Sequence, residues 1–337
     1  MYKRVFAALL ALMLCVSLTG CAKKETKSVS FFAMDTYITI SVTCEDAQAA
    51  LDWAQALVEA NEKKWSTTLS DSLVSRLNAG EKEALDAGTA RLLRRAEEMR
   101  AYTDGAFEPG IYPLVKAWGF TTGEYRVPSD GETAELLRQV VPDNVRTENG
   151  ETFLSGGMID LGGIAKGMTG DMLTEGLKQR GVDSALINLG GNVQALGAKP
   201  DGSAWRIGIQ SPYDDSVMCV VEIKNRCVIT SGAYERYFVG EDGQVYGHII
   251  SPFTGRPVSN GVASVSVIAE EGAMADALST ALFVMGEQAA LDFWRAHEGF
   301  DLVLLTDSGT LYVTEGIWND LTKRSNGAVK QVCEIKR

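Results

Sequence analysis

Strand-like and helix-like stretches follow one another in this chain without the regular alternation that builds a parallel sheet, and that irregularity narrows its fold most. The run Thr36 to Thr43 (TYITISVT) alternates polar and apolar residues as a half-buried strand does, and Ala47 to Lys64 then carries apolar residues at helical spacing. Ala90 to Thr103 repeats the helical pattern, until glycines near Gly105 and Gly110 break the chain before a Pro-Leu-Val-Lys-Ala-Trp segment. Gly167 to Arg180 reads as a helix, and Ser184 to Ala198 as strand entering a Gly-Gly turn. Strand character recurs at Trp205 to Ser211, Val217 to Ile223, Cys227 to Ser231, Tyr234 to Val239, Val262 to Ile268, Leu302 to Thr306 and Thr310 to Thr314. Two further helices fit Ala273 to Met285 and Glu287 to His297. Many hairpin-like strands beside helices give the α+β class. No Pro/Ser-rich linker, charge block or fixed-period repeat divides the chain, which favours a single large two-lobed domain.

The N-terminus obeys a different logic. Lys3 and Arg4 precede an apolar run from Val5 to Leu18 that ends in Leu18-Thr19-Gly20-Cys21, which reads as a cleaved export signal with a lipoprotein-type site rather than a spanning helix. The expected organisation is a signal peptide over residues 1–20, a lipidated tether over 21–30 beginning at an acylated Cys21, and the folded domain over 31–337. The protein is then expected outside the cytoplasm, lipid-anchored to the bacterial cell membrane. No second run of eighteen apolar residues follows Cys21. Removing residues 1–20 leaves 30 basic and 44 acidic side chains, a formal net charge of −14 that disfavours nucleic acid as a partner. Cys44, Cys219, Cys227 and Cys333 match neither zinc-site nor CxxC spacing. Cys219 and Cys227 flank a turn at Lys224-Asn225, so a cross-strand disulfide is open to them, although free buried cysteine is the commoner state.

Three stretches carry chemistry-bearing residues. Ile159 to Asp171 (IDLGGIAKGMTGD) looks like a phosphate cradle, but Met168 stands where a P-loop needs its lysine, and Gly162, Gly163 and Gly167 have the wrong intervals for a dinucleotide fingerprint. What survives is a Gly-rich turn into a helix beginning near Lys166, whose N–H groups and cation suit an anion and equally suit plain packing. In Ala273 to Ala281, Asp276 and Thr280 are four apart and share a helix face, oxygen donors fit for Mg²⁺ or for local helix hydrogen bonds. His248, one of two histidines, ends a strand before Pro252-Phe253-Thr254-Gly255, a common place for a proton-transfer group as well as for a structural ring.

The order of the motifs says more than any one of them. Met34-Asp35-Thr36, Asp71-Ser72 with Arg76-Leu77-Asn78, Thr103 to Pro109 (TDGAFEP), Asp160 to Gly167 (DLGGIAKG), Asn188 to Asn192 (NLGGN), Thr230-Ser231-Gly232, His248-Ile249-Ile250 with Pro252-x-Thr254-Gly255, and Ala275-Asp276 with Thr280 follow in turn. This series closely resembles the ApbE family, the FAD:protein FMN transferases, along nearly the whole exported chain. The resemblance implies a T-fold-like α+β domain that takes FAD and Mg²⁺, cleaves the pyrophosphate, releases AMP and transfers FMN to a Thr or Ser hydroxyl of a partner redox protein. Some relatives use water instead and release FMN and AMP, and a non-catalytic flavin-binding lipoprotein is the remaining alternative.

Carried over residue by residue, the resemblance implies Mg²⁺ ligands at the Gly163 carbonyl, Asp276 and Thr280. It implies FAD contacts at Met34, Thr68, Ala106, Phe107, Glu108, Asp160, Lys166 and the backbone near Ile250, with His248 as proton acceptor. Three positions depart from the family pattern. Glu108 stands where aspartate is frequent, Ser251 replaces an aspartate before the proline, and Thr68 replaces a tyrosine that many relatives hold against the flavin or adenine. The last change reshapes the FAD pocket and leaves the balance between transfer and hydrolysis open.

Overall fold

The computed structural model describes residues 24–214, 216–323 and 329–337. The expected signal peptide and the lipidation site Cys21 lie outside the described residues. Two strands, β1 (Glu25–Ala33) and β2 (Thr36–Cys44), open the domain as a hairpin in full register, from Glu25 opposite Cys44 to Ala33 opposite Thr36. The stretch expected as a tether up to residue 30 is therefore strand from Glu25 onward. Its polar residues Thr26 and Ser30 pair across the ladder with Thr43 and Thr39.

Helices α1 (Ala47–Trp65), α2 (Leu73–Asn78), α3 (Ala87–Tyr102), α4 (Tyr112–Ala117) and α5 (Asp130–Leu137) follow, then a hairpin of β3 (Val145–Glu148) and β4 (Glu151–Leu154). Asp46, Ser72, Asp86 and Ser129 accept backbone N–H groups as N-caps of α1, α2, α3 and α5, which explains where those helices start. Next come α6 (Gly162–Gln179), β5 (Ser184–Leu189), β6 (Asn192–Leu196), β7 (Trp205–Gln210), β8 (Val217–Ile223) and β9 (Cys227–Gly232). The chain ends through β10 (Tyr237–Val239), β11 (Val245–Gly247), β12 (Val262–Ala269), α7 (Gly272–Met285), α8 (Glu287–Ala296), β13 (Phe300–Thr306), β14 (Thr310–Thr314), β15 (Leu321–Lys323) and β16 (Gln331–Ile335).

One nine-stranded sheet in the order β1-β2-β5-β6-β9-β12-β13-β14-β16 carries the domain, antiparallel except where β16 joins β14. Its two halves are built alike: β1-β2-β5-β6 has helices between its inner strands, and β9-β12-β13-β14 has α7 and α8 between its own. Only two residue pairs, Val193 with Val228 and Gln194 with Cys227, join β6 to β9 across the seam. Strand alternation assigns the faces. Ile38, Ile40 and Val42 of β2 with Ala185, Ile187 and Leu189 of β5 pack under α1 and α6. Ile229, Val265, Val267, Leu302 and Leu304 pack under α7 and α8. On the opposite face Val228, Ile268, Val303 and Leu305 meet the small sheet β15-β8-β7.

Two local expectations are corrected, and the cysteines take the commoner of their two open states. The Gly-rich stretch is helix from Gly162, not from Lys166 or Gly167, because α6 is packed along α7 and tertiary contact overrides the low helix propensity of its glycines. Tyr234 to Arg236 is a turn, with strand only from Tyr237. Cys219 and Cys227 lie in different sheets as free buried thiols, so no disulfide joins them, and burial pushes both up to about 12, where they are inert.

Candidate active site

A cleft of about 350 Å³ opens at the seam between the two sheet halves. Its walls come from the β1–β2 turn, the end of α1, the loops after α1 and α3, the start of α6, β6, β9, the segments on either side of the β10–β11 hairpin, and α7. Met34, Thr68, Ala106, Phe107, Glu108, Asp160, Gly163, Lys166, His248, Ile250, Asp276 and Thr280 all line it.

The helices α6 and α7 form its floor and lack side-chain caps of their own. Their first N–H groups must find partners elsewhere. For α6 the partner is Asp160, whose Oδ1 accepts the Gly162 N–H at 2.7 Å. For α7 it is Asp171 on the neighbouring helix, whose carboxylate accepts the N–H groups of Gly272 and Ala273 at 2.7 and 2.9 Å and the Gln194 amide at 2.5 Å. Burial nevertheless pushes the Asp171 carboxyl up to about 6, against the pull of those donors. The two backbones touch at Gly167 and Gly272: a Cβ on Gly167 would sit 2.2 Å from the Gly272 carbonyl oxygen.

That close crossing aligns an oxygen cluster. Asp276 is buried, its Oδ2 accepting the Gly167 N–H and its Oδ1 the Asn192 amide, each at 2.9 Å. One turn along, Thr280 Oγ1 lies 3.4 Å from Ser231 Oγ, and a Cβ on Gly163 would be 3.5 Å from it. Among the described residues no three of His, Cys, Asp and Glu are grouped for a metal. A cation here would therefore rest on one carboxylate with hydroxyl and carbonyl oxygens. That all-oxygen set, holding a buried carboxylate met by neutral donors rather than by a basic side chain, fits a hard cation such as Mg²⁺.

Another wall of the cleft carries His248. The His248 backbone N–H donates to the Arg236 carbonyl, and its Nδ1 lies 3.3 Å from the same oxygen. A carbonyl only accepts, so Nδ1 carries the proton and Nε2 is left with a free lone pair. Enclosure by the cleft, with the charges of Arg236 and Lys166, lowers the imidazole to about 4, so it is neutral at pH 7. Burial likewise raises the Asp160 carboxyl, opposed by its hydrogen bond from Gly162 and by the Lys166 and Arg236 charges.

Residues 34–304 match the ApbE family model. The chain belongs to the ApbE family. An FAD:protein FMN transferase of Haemophilus influenzae is 29% identical, with 95% of this chain and 99% of that protein covered. The transferase of Rhodobacter capsulatus is 34% identical over 83% of this chain, which spans about half, 54%, of that longer protein. Among solved structures, an ApbE protein from Thermotoga maritima superposes with a TM-score of 0.81 at 33% identity, over 89% of this chain and 100% of the other.

Against the ApbE pattern, the twelve positions converge but do not all present side chains in the same way. Glu108 has both carboxylate oxygens engaged, Oε2 by Arg100 at 2.7 Å and Oε1 by the Gly110 N–H at 2.8 Å, so it shapes the loop behind Phe107. Exposed Thr68 is tied into its own turn through Ser66 at 2.9 Å. Met34 sits at φ 51° in a two-residue turn with Asp35 at φ 60°, and its N–H is held by Glu62 at 2.7 Å. The sequence reading did not single out Glu62, Asp171, Asn192, Ser231 or Arg236 as site residues. Asp171, Asn192 and Ser231 stood within the quoted IDLGGIAKGMTGD, NLGGN and TSG motifs, so the signal for them was present without a role attached. The others matter through contacts made far along the chain.

Proposed function

We propose that this chain transfers FMN from FAD to a Thr or Ser hydroxyl of an exported or membrane-bound redox protein, releasing AMP. The observation that carries the reading is the convergence, in one cleft, of a neutral histidine with a free Nε2 and an oxygen cluster that suits a hard cation. Asp276, Thr280 and the Gly163 carbonyl are the residues that would hold Mg²⁺. When bound, Mg²⁺ supplies charge neutralisation for the pyrophosphate. Lys166, the fifth residue of α6, adds positive charge to the same cleft.

His248 Nε2 accepts the proton of the incoming hydroxyl as its oxygen forms a bond to the FMN phosphorus and the bond from that phosphorus to the bridging oxygen breaks. AMP leaves with the bridging oxygen. Catalysis of this kind is chiefly positioning and electrostatics. Phe107, whose ring lies 3.2 Å from where a Gly163 Cβ would stand, closes the cleft beside the cation cluster and limits water there. Attachment through an acylated Cys21 would hold the enzyme outside the cytoplasm, beside membrane-bound acceptors.

The test is incubation of the mature chain with FAD, Mg²⁺ and a candidate Thr-containing acceptor, following AMP and acceptor mass. AMP with an FMN adduct supports transfer. AMP with free FMN makes the protein a pyrophosphatase, and FAD binding without AMP makes it a binder.

A further inference from the structure

The cleft is acidic. Asp35, Glu62, Asp160, Glu235 and Asp276 line it together with the engaged Glu108, against only two cations among the lining residues, Lys166 and Arg236. A pyrophosphate enters such a place only where cations meet it. Lys166 is uncommitted, with Nζ 3.4 Å from the Gly162 carbonyl and no carboxylate within ion-pair distance among the described residues. Arg236 is committed: its guanidinium spans from the β10 side of the cleft to the carboxylate of Asp35 on the β1–β2 turn. Both partners of that pair are well exposed, the side chains at 46% and 63%, and an exposed pair is weak enough to be exchanged for another anion.

Two observations place the Arg236 side chain at the reacting centre. It lines the same cleft as Lys166, Asp160 on the α6 wall and His248, and lies near enough for its charge to oppose protonation of His248. Its own carbonyl fixes the ring of His248, so the residue that orients the base also carries a guanidinium into the cleft. A guanidinium fork matches carboxylate and phosphate oxygens alike, so Arg236, which meets Asp35 through a single nitrogen, can exchange that carboxylate for a phosphate.

We propose that Arg236 is a phosphate-binding side chain of this cleft, held in reserve by Asp35 and transferred to the pyrophosphate of FAD beside His248. The assignment rests on the reading of the cleft as an FAD site. Asp35, once released, remains exposed to water and needs no new partner.

Equilibrium binding of FAD and of riboflavin, which has no phosphate, to the full chain and its variants decides the matter. Arg236→Gln is expected to weaken FAD binding by about tenfold or more, the scale of a charge-assisted hydrogen bond, and to leave riboflavin binding unchanged. Arg236→Lys should fall between, since it keeps the charge and loses the fork. Asp35→Asn should tighten FAD binding several-fold, because no ion pair then has to be given up. If Asp35→Asn weakens FAD as much as Arg236→Gln does, the pair is a structural brace and the proposal is overturned; parallel losses for FAD and riboflavin overturn it too. A wild-type chain that binds FAD but releases no AMP would sink the transfer reading alone and leave this binding pattern decisive.

Discussion

In the proposed reaction His248 and Asp276 divide the chemistry at the scale of single residues. A neutral ring with Nδ1 held by a carbonyl is a base with its lone pair directed away from that carbonyl, and its lowered value of about 4 keeps it competent through the neutral range. His248→Ala should keep FAD binding while transfer falls by about 10²–10⁴, measured as the rate of AMP release with acceptor present. Its stability effect has a definite sign. Between the ordinary 6.5 and the folded value near 4 the unfolded chain binds more protons, so stability is present above about 6.5 and declines as pH falls through that window. A urea midpoint followed from pH 7 to pH 4 should show a shallower decline in His248→Gln than in wild type. For Asp276 the informative change is Asn, which preserves size and one acceptor oxygen for Gly167. Asp276→Asn should fold yet lose Mg²⁺-dependent AMP release by about 100-fold, the scale of losing one aligned transition-state contact. Undiminished turnover in that variant refutes the metal assignment. Asp276 and Thr280 were legible because a spacing of four on a helix puts them on one face. Arg236 was not, because it sits in a stretch whose apolar neighbours read as strand and its importance comes from Asp35, far back in the chain.

At the scale of elements, the two helices that build the floor have no side-chain cap at the N-cap residue itself, and carboxylates at other positions accept their first N–H groups. Asp171 serves α7 from the body of α6, which couples the placement of Asp276 and Thr280 to the α6 register. Replacing Asp171 by Ala leaves two buried N–H groups and the Gln194 amide without that acceptor. Thermal unfolding should then show a loss of about 1–3 kcal/mol, accompanied by a higher Mg²⁺ requirement. Gly167→Ala is expected to be worse than an ordinary overpacking change of about 1–3 kcal/mol, because the added Cβ meets backbone, not a side chain that can move. Strand β2 and helices α1, α3 and α8 were readable from periodicity, since each buries one clear face, and α7 from an apolar stretch that is buried nearly all round. The start of α6 was not: Gly162 and Gly163 read as a turn, and the helix there runs along α7 at the close approach that Gly167 permits. Strand β1 was missed because its polar residues face other hydroxyls across the ladder, a partner the single strand does not reveal.

For the whole molecule, the cleft lies where two halves of one sheet meet through a two-pair ladder, so its walls belong to separately built units. Asn192 from the first half and Ser231, Asp276 and Thr280 from the second come together only there. A ligand spanning the seam should stabilise the whole domain, by about 2.7 kcal/mol at a hundred times its Kd, readable as a rise in Tm with FAD and Mg²⁺. The α+β class and the single domain were legible from the irregular order of strands and helices. The seam was not, because the two halves share an arrangement without sharing a sequence period. The most direct test of the account is the intact mass of an acceptor protein after incubation at pH 7 with FAD and Mg²⁺, with AMP counted in the same tube, for wild type beside His248→Ala. The account predicts one FMN adduct per AMP in wild type and no adduct in the variant although it still binds FAD. An adduct formed equally well by His248→Ala, or AMP without any adduct in wild type, would contradict it.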